Sequence, residues 1–534
     1  MAVQAALATA DVAEPRRDLL IQQLHALHDA TGCLREGHLV ALAEFHRLAP
    51  VEIFETASFY AHFEILPDDA ASPPRVTLRV CEGLPCMMAG GAALFDAARQ
   101  APPAGTRVIA APCMGACHRA PVATVGFEPI APATAETLRA ATLGGVASAP
   151  GAPSLDAYRA RGGHAALHAV RDGVLTPDGM IGALERSGLR GLGGAGFPAA
   201  GKWRFALAHA GPRHLVVNAD EGEPGTFKDR FCLETEPHRV LEGMLLAAHG
   251  IGAAACWIYL RDEYPDLHRV VTEALEELRT AGLVGPPVHL RRGAGAYICG
   301  EETALLESIE GRRGYPRHKP PFPGEHGLFG RPTVVHNVET LWWLPDILAT
   351  PDGADRYAAS GRRGATGERF FSVSGRVRLP GVKRAPAGVT ARELIDEFSG
   401  GMAEGHRFVG YLPGGASGGI LPADLADLPL DVGALDAQGC FVGSGAVIVL
   451  SDQDELLEVA RNLLRFFRDE SCGQCTPCRV GTAKAARLLD APVWDRALIV
   501  DLAQATADGS ICGLGQAAMN PVRSLLRFFP EQVP

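Results

Sequence analysis

Eight of the thirteen cysteines fall at short intervals: Cys81-x4-Cys86, Cys113-x3-Cys117 and Cys472-x2-Cys475-x2-Cys478, with Cys512 following at a distance. Thiolates so spaced can grip a metal ion or cluster, because one loop supplies the first ligands and a remote segment closes the shell. For the first four, zinc and a [2Fe–2S] cluster fit equally well. The second four suit a [4Fe–4S] cubane, three corners held locally and one from across a bundle, although the spacing also admits zinc. Cys33, Cys232, Cys256, Cys299 and Cys440 stand singly in mostly apolar surroundings and read as small buried hydrophobes.

A second chemistry is written in glycines and acids. RGLGGAGFPAAGKW (Arg190 to Trp203) and NADEGEPGTFKDR (Asn218 to Arg230) flank an apolar strand, HLVV. Gly191, Gly193, Gly194 and Gly196 remove side chains where a backbone must pass close to a flat ring or a phosphate, and Lys202 offsets negative charge. Alone, such a loop is equally a flexible turn, and it is not the G-x-G-x-x-G fingerprint. Asn218, Asp220, Glu221 and Glu223, however, lie just past the strand, where open α/β sheets bind ligands, and Gly222, Pro224 and Gly225 imply a defined turn. A third piece, Gly293 to Gly324, adds another glycine loop that runs through Gly300, Glu301 and Glu302 into a helix. The three pieces are consistent with any dinucleotide or flavin.

Composition bounds the setting. A chain of 534 residues should divide into about three to five domains. A formal charge of -11 and no run of Lys and Arg argue against a nucleic-acid partner. The apolar window Val240 to Leu260 is broken by Glu242 and His249, and suits a buried helix turning into a strand better than a membrane span. The N-terminus has no basic region followed by an apolar core, and Asp18 follows Arg16-Arg17, so neither a secretory nor a twin-arginine signal is expected. The expected protein is cytoplasmic, away from membranes, with thiols or metal ligands rather than disulfides.

The elements that must position this chemistry can be read in order. Residues 1–70 are expected to form a helical cap, with Leu19, Leu20, Leu24 and Leu27 on one face and Phe54, Phe59, Tyr60 and Phe63 as packing residues. Residues 71–142 alternate strand, helix, strand, strand, with the four cysteines at strand ends. The Gly/Ala/Pro-rich 143–155 is a linker candidate. Residues 156–365 hold the glycine and acid pieces, 366–452 are β-rich with a short helix TARELIDEF, and 453–534 are helical. The loop GYLPGGASGGILP reads as a structural turn.

The helical cap, the first four cysteines and CMGACHRAP resemble the thioredoxin-like [2Fe–2S] subunit of respiratory complex I, which implies iron and sulfide rather than zinc. The glycine and acid pieces resemble the complex I flavin subunit and its soluble relatives, which bind FMN and NADH in an α/β domain unlike a standard Rossmann fold. That resemblance implies an FMN site at Gly191, Gly193, Gly194, Lys202, Asn218, Asp220, Glu221, Gly300, Glu301 and Asn337, with Glu221 able to serve either ligand. It implies an NADH side lined by Phe197, Phe205, Glu223, Tyr297, Glu302, Lys319 and Phe322. A β-grasp module and a helical [4Fe–4S] domain follow, the latter held by Cys472, Cys475, Cys478 and Cys512. Two positions depart from the pattern: Leu192 where relatives often carry Arg, and His336 where many carry Asn.

The fused order, with RDLLIQQLHALHDATG, FYAHF and ESCGQCTPCRVGT, resembles the β subunit of soluble molybdenum- or tungsten-dependent formate dehydrogenases. What this implies is a diaphorase that passes hydride between NAD(H) and FMN and single electrons to the clusters, with no protein general acid or base. Formate chemistry would reside on an α subunit carrying a molybdenum or tungsten pterin and further iron–sulfur clusters, in a hetero-oligomer. The diaphorase of a bidirectional NiFe hydrogenase is the alternative, and a zinc-stabilised nucleotide-binding scaffold the non-enzymatic one.

Overall fold

The computed structural model describes residues 2–74, 76–142, 151–283 and 285–534. In the N-terminal helical segment, two short strands, β1 (Leu34–Arg35) and β2 (Ile65–Leu66), pair in parallel. Next come β3 (Val76–Cys81), β4 (Thr106–Ala111), β5 (Ala123–Val125) and β6 (Glu128–Ile130), in the order β4-β3-β5-β6. β3 and β4 run parallel because the helix Gly91–Gln100 crosses between them, whereas β5 and β6 close an antiparallel hairpin at Gly126. Three of these strands follow from the apolar runs; β6 was not expected, because three residues carry no readable period. Cys81 ends β3 and Cys113 follows β4, so both cysteine pairs lie at one end of the sheet.

The central sheet is fully parallel, in the order β10-β7-β8-β9: β7 (Arg213–Ala219), β8 (Ala253–Leu260), β9 (Val288–Arg292) and β10 (Thr333–Asn337). Val240 to Leu260 is the expected helix-to-strand unit: the helix Pro237–Ile251 ends at Gly252, whose φ of +59 a side chain would strain, and β8 follows. Alternation along these strands feeds two different cores. Leu215, Val217, Ile258 and Val334 join the helices of the same region. Val216, Trp257, Tyr259 and Val335 belong to a core that also contains Leu20, Leu24 and Leu27 of the N-terminal segment and Leu463, Leu464 and Phe467 near the C-terminus.

The N-terminal cap therefore covers one face of the central sheet. The Tyr60 hydroxyl donates to the Arg312 carbonyl at 2.7 Å, and His25 Nε2 donates to the Gly293 carbonyl at 2.7 Å. His62 Nδ1 lies 2.6 Å from Asp262, which also pairs with Arg292 at 2.5 Å. Tyr60 and Phe63 are buried as expected, but Phe54 is 48% exposed and does not pack: it lies on the outer side of the helix Pro50–Phe59. Of the linker expected over 143–155, residues 143–150 lie outside the described residues, and Leu155 already opens the helix Leu155–Ala160.

β11 (Glu368–Gly375), β12 (Gly381–Pro386), β13 (Phe408–Leu412), β14 (Leu421–Pro422) and β15 (Ala446–Ser451) form a mixed sheet, β12-β11-β15-β13-β14, with β11 and β15 parallel. TARELIDEF is one α turn, Ala391–Glu393, running into a wider π turn, Leu394–Phe398, and opened by a Thr390/Glu393 capping box. The C-terminal region is helical, with Leu456–Asp469, Thr476–Leu489, Arg496–Gly509, Gly513–Ala517 and Asn520–Phe528. Among the described residues no helix is long and apolar enough to cross a membrane.

The cap seam sets an acid limit on stability. Burial, then the charges of His62 and Arg79, lowers His28 to about 3, so the unfolded chain takes up a proton below pH 6.5 that the folded chain refuses. Stability from this group is complete above that pH and is lost as pH falls towards 3; at pH 5.5 the loss is about 1.4 kcal/mol. His28→Gln should flatten the fall in Tm between about pH 7.5 and 5.5 by that share. An unchanged slope would mean that His28 is protonated in the folded protein.

Candidate functional site

The three glycine and acid pieces meet at the C-terminal edge of the parallel sheet, where Asn218 of β7 and Asn337 of β10 are register partners. Asn218 ties the pieces together: Nδ2 donates to the Gly300 carbonyl at 2.8 Å and Oδ1 accepts from Asp220 N–H at 3.1 Å. The first loop is closed on itself, Gly191 N–H donating to the Phe197 carbonyl at 2.8 Å and Arg190 to the Gly196 carbonyl at 3.0 Å. A Cβ on Gly193 would stand 3.0 Å from Cβ of Asn337, and Gly194 adopts φ +126. These two glycines thus leave an open backbone cradle above the sheet edge.

Asp220 lies beside Gly300 and is half-buried, and its Oδ2, shielded from solvent, has no hydrogen-bond partner. Burial pushes its carboxyl well above the usual carboxylate range. A buried acceptor without a donor is costly, and a polar ligand in the cradle would satisfy it. The fit of a ring-bearing, hydroxyl-rich cofactor rests on this oxygen and on the glycine cradle.

Two of the expected ligand residues already carry hydrogen bonds within the chain. Both carboxylate oxygens of Glu221 are occupied, one by Asp229 N–H at 2.8 Å, the other by Arg230 N–H at 3.1 Å and the Tyr264 hydroxyl at 3.0 Å. Glu221 thereby caps the helix Lys228–Thr235 from a distance, with three donors already on its carboxylate. Asn337 is also committed: Oδ1 accepts from Lys228 at 3.1 Å and from Glu339 N–H at 3.0 Å, and Nδ2 donates to Asp229 at 2.5 Å. Lys228, Asp229 and Glu339, all buried, form an ionic centre that sequence reading missed. Its signal was present as the Lys-Asp ending of NADEGEPGTFKDR, but nothing in the spacing links it to Glu339.

The nucleotide side is a charged pair of pairs beside three aromatic rings. Lys319 reaches Glu301 at 2.9 Å and Glu302 at 2.8 Å, and Lys202 reaches Glu302 at 3.4 Å and the Val335 carbonyl at 3.2 Å. Glu301 also caps the helix Glu302–Ile309, accepting from Thr303 and Ala304 N–H. Burial opposes ionisation of Glu302, but the two lysines outweigh it and hold its carboxyl below the usual range. Phe197, Phe205 and Phe322 are 52%, 41% and 48% exposed, which for three large apolar rings around one charged cluster leaves faces free for a flat ligand.

Glu223 is gripped by the loop read as a structural turn: Ser417 N–H donates to it at 2.9 Å, and the hydroxyls of Ser417 and Ser444 also bind it. That turn therefore completes a wall of the site. Tyr297 packs over Gly222 and against Phe466, with its N–H on Glu470 at 3.0 Å. The departures from the family pattern point away from the cradle. Leu192 is buried in the apolar core, and His336 accepts from Trp203 Nε1 at 2.7 Å on the opposite face of β10 from Asn337, its pKa lowered to about 3 by burial and by Lys202.

The cysteine sets flank this edge. Cys81, Cys86, Cys113 and Cys117 are buried, and Cys113 and Cys117 pack directly on Phe227 at the start of the helix Lys228–Thr235. Cys475 stands at the N-cap position of the helix Thr476–Leu489, Cys478 lies in its first turn and Cys512 stands at the N-cap position of Gly513–Ala517, while burial pushes the Cys472, Cys478 and Cys512 thiols up. Four sulfurs around one zinc stand about 3.8 Å apart. Among the described residues, the only groups of three metal-binding atoms within 4.8 Å of one another are centred on histidine, not on cysteine. Cys113 Sγ and Cys117 Sγ lie 3.4 Å apart, a pairing that one iron of a [2Fe–2S] centre or one zinc ion would accept.

Comparison with known proteins agrees with this geometry. Family models match at residues 5–142 (thioredoxin-like [2Fe-2S] ferredoxin), 184–346 (Nuo51 FMN-binding domain) and 458–534 (NADH-ubiquinone oxidoreductase-F iron-sulfur binding region). The NADH-quinone oxidoreductase F-type subunit of Aquifex aeolicus (strain VF5) is 41% identical over 401 residues, 72% of this chain and 92% of the relative. A second F-type relative, from Rhizobium meliloti (strain 1021), is 40% identical over 391 residues, 70% and 92% respectively. The crystal structure of an NAD+-reducing [NiFe]-hydrogenase in the air-oxidized state superposes with a TM-score of 0.83 at 34% identity, covering 95% of this chain and 92% of that one. The chain belongs to the NADH-quinone oxidoreductase-F family: it is an FMN- and NADH-binding oxidoreductase subunit with one [2Fe–2S] and one [4Fe–4S] centre.

Proposed function

We propose that this chain is the diaphorase subunit of a soluble formate dehydrogenase, coupling formate oxidation on a molybdenum- or tungsten-bearing α subunit to NAD+ reduction here. The observation that carries the redox site is the orphaned Asp220 carboxylate at an open glycine cradle, with a Glu/Lys cluster on one side and a cysteine set on either flank. When bound, FMN supplies the exchange between two-electron hydride chemistry and single electrons that a nicotinamide cannot perform.

The chain's own residues bind, orient and exclude. Gly191, Gly193 and Gly194 would leave room for the flavin, Asn218 holds the loops together, and Asp220 would hydrogen-bond to it. Lys202, Glu301 and Gly300 border it. Phe197, Phe205 and Phe322 would offer faces to the adenine, Glu223 and Tyr297 would line the NADH side, and Lys319 holds Glu302 in its ionised form. An ionised Glu302 repels the extra phosphate of NADPH. No side chain is assigned as general acid or base.

The formate context rests on the fused order and on the resemblance of the chain's motifs. A second reading, the diaphorase of an NAD-reducing NiFe hydrogenase, is favoured by the extent of the superposition, which includes the fused N-terminal region. Metal analysis of the native complex separates them: molybdenum or tungsten is expected, whereas nickel would establish the hydrogenase reading. Asp220→Ala should weaken FMN retention about tenfold, the share of one hydrogen bond. Full flavin content after exhaustive dialysis would remove Asp220 from the site. Glu302→Gln should raise the NADPH-to-NADH activity ratio about tenfold, and an unmoved ratio would sink its role in selectivity.

A further inference from the structure

The loop that carries Cys113 is gripped by side chains of the central sheet. Arg261 follows β8, is buried, and donates from Nη2 to the Cys113 carbonyl at 2.7 Å. Its Nη1 donates to the Glu221 carbonyl, and its Nε to Glu263 at 3.0 Å. The guanidinium lies over the Tyr264 ring, 5.0 Å from the centroid. Gly115, at φ +63, packs against the same ring with no room for a Cβ. Arg230, whose guanidinium lies 5.3 Å from the centroid of the same ring, reaches the Met114 carbonyl at 3.5 Å.

One guanidinium thus joins a cysteine of the [2Fe–2S] set to the backbone of the flavin loop. It cannot lose its proton, and burial leaves its charge little screened by water. Reduction adds one electron to the cluster and no proton, so a fixed positive charge beside a ligand residue favours the reduced form. Glu263, whose side chain is 20% exposed, offsets part of that charge.

We propose that Arg261 is a positioning residue that raises the reduction potential of the [2Fe–2S] centre while holding its Cys113 loop against the flavin loop. The inference rests on the reading of Cys113 as a cluster ligand, and it extends that reading to a residue outside the cysteine set. The two contacts give the cluster both a fixed seat and a fixed field.

The test is an EPR-monitored redox titration of the full-length holoprotein, with iron and sulfide measured on each variant. Arg261→Gln should shift the [2Fe–2S] couple to more negative potential, so that at fixed ambient potential the reduced-to-oxidised ratio falls about tenfold, or about 59 mV for a one-electron couple. The [4Fe–4S] signal should stay in place. Arg261→Lys, which keeps the charge, should remain near the parent value, and Glu263→Gln should move the couple in the positive direction. A loaded Arg261→Gln with an unmoved potential overturns the proposal, as does Arg261→Lys shifting as far as Arg261→Gln. If Arg261→Gln assembles no cluster, Glu263→Gln decides, and a null or negative shift there overturns it. A parent protein without a [2Fe–2S] signal would overturn the cluster reading and this inference together, whereas an intact signal with unmoved potentials overturns the inference alone.

Discussion

A parallel sheet must be covered on both faces while its C-terminal edge stays open, and the rest of this molecule follows from that requirement. One face of β7, β8 and β10 is covered by helices of its own region, including Pro237–Ile251. The other is covered by the N-terminal cap and by the C-terminal bundle, which share a single apolar core with it. Parts distant in the chain are thereby brought to one sheet edge. The hydrophobic term that buries Val216, Tyr259 and Val335 is the same term that carries the second cysteine set to the flavin cradle.

Rigidity at that edge comes from charges. Lys228, Asp229 and Glu339 are buried together, linked to Asn337, and Glu221 caps the same helix that Lys228 begins. An ionic centre of this kind contributes little net stability against an apolar alternative, but removing one partner leaves the others uncompensated, at about 3–5 kcal/mol. The arrangement suits a site in which a cofactor must be held in one position: loop 218–230 has fixed partners at both ends, and only Asp220 is left with an unmet oxygen.

The redox parts are separate in sequence and contiguous in space. Phe227 packs on Cys113 and Cys117 at one side of the flavin loop, and Tyr297 packs against Phe466 of the helix that leads to Cys472 at the other. Each cluster region therefore touches a residue that borders the cradle. The mixed sheet of β11 to β15 contributes Ser417 and Ser444, which hold Glu223. The contacts that join these regions to the edge link residues far apart in the chain.

Much of this was legible without coordinates. Cysteine spacing, the glycine loops and the period of the apolar runs are local properties, and they marked two metal-binding cysteine sets, the strand-to-loop position of the site and the helix-to-strand unit at Val240 to Leu260. What the chain alone could not settle are the residues whose roles depend on partners far away. Glu221 and Asn337 read as cofactor ligands because they stand in the right motifs, and their bonds to a helix N-terminus and a buried lysine are invisible in the sequence. His336 lies one residue from Asn337 but points to the other face, because side chains alternate along a strand. Phe54 has the spacing of a packing residue but faces solvent, since a period says which residues share a face and not what covers it. Sequence determined which chemistry is present; only tertiary structure decided which atoms remain free to perform it, because hydrogen-bond and ionic partners are chosen by proximity in space.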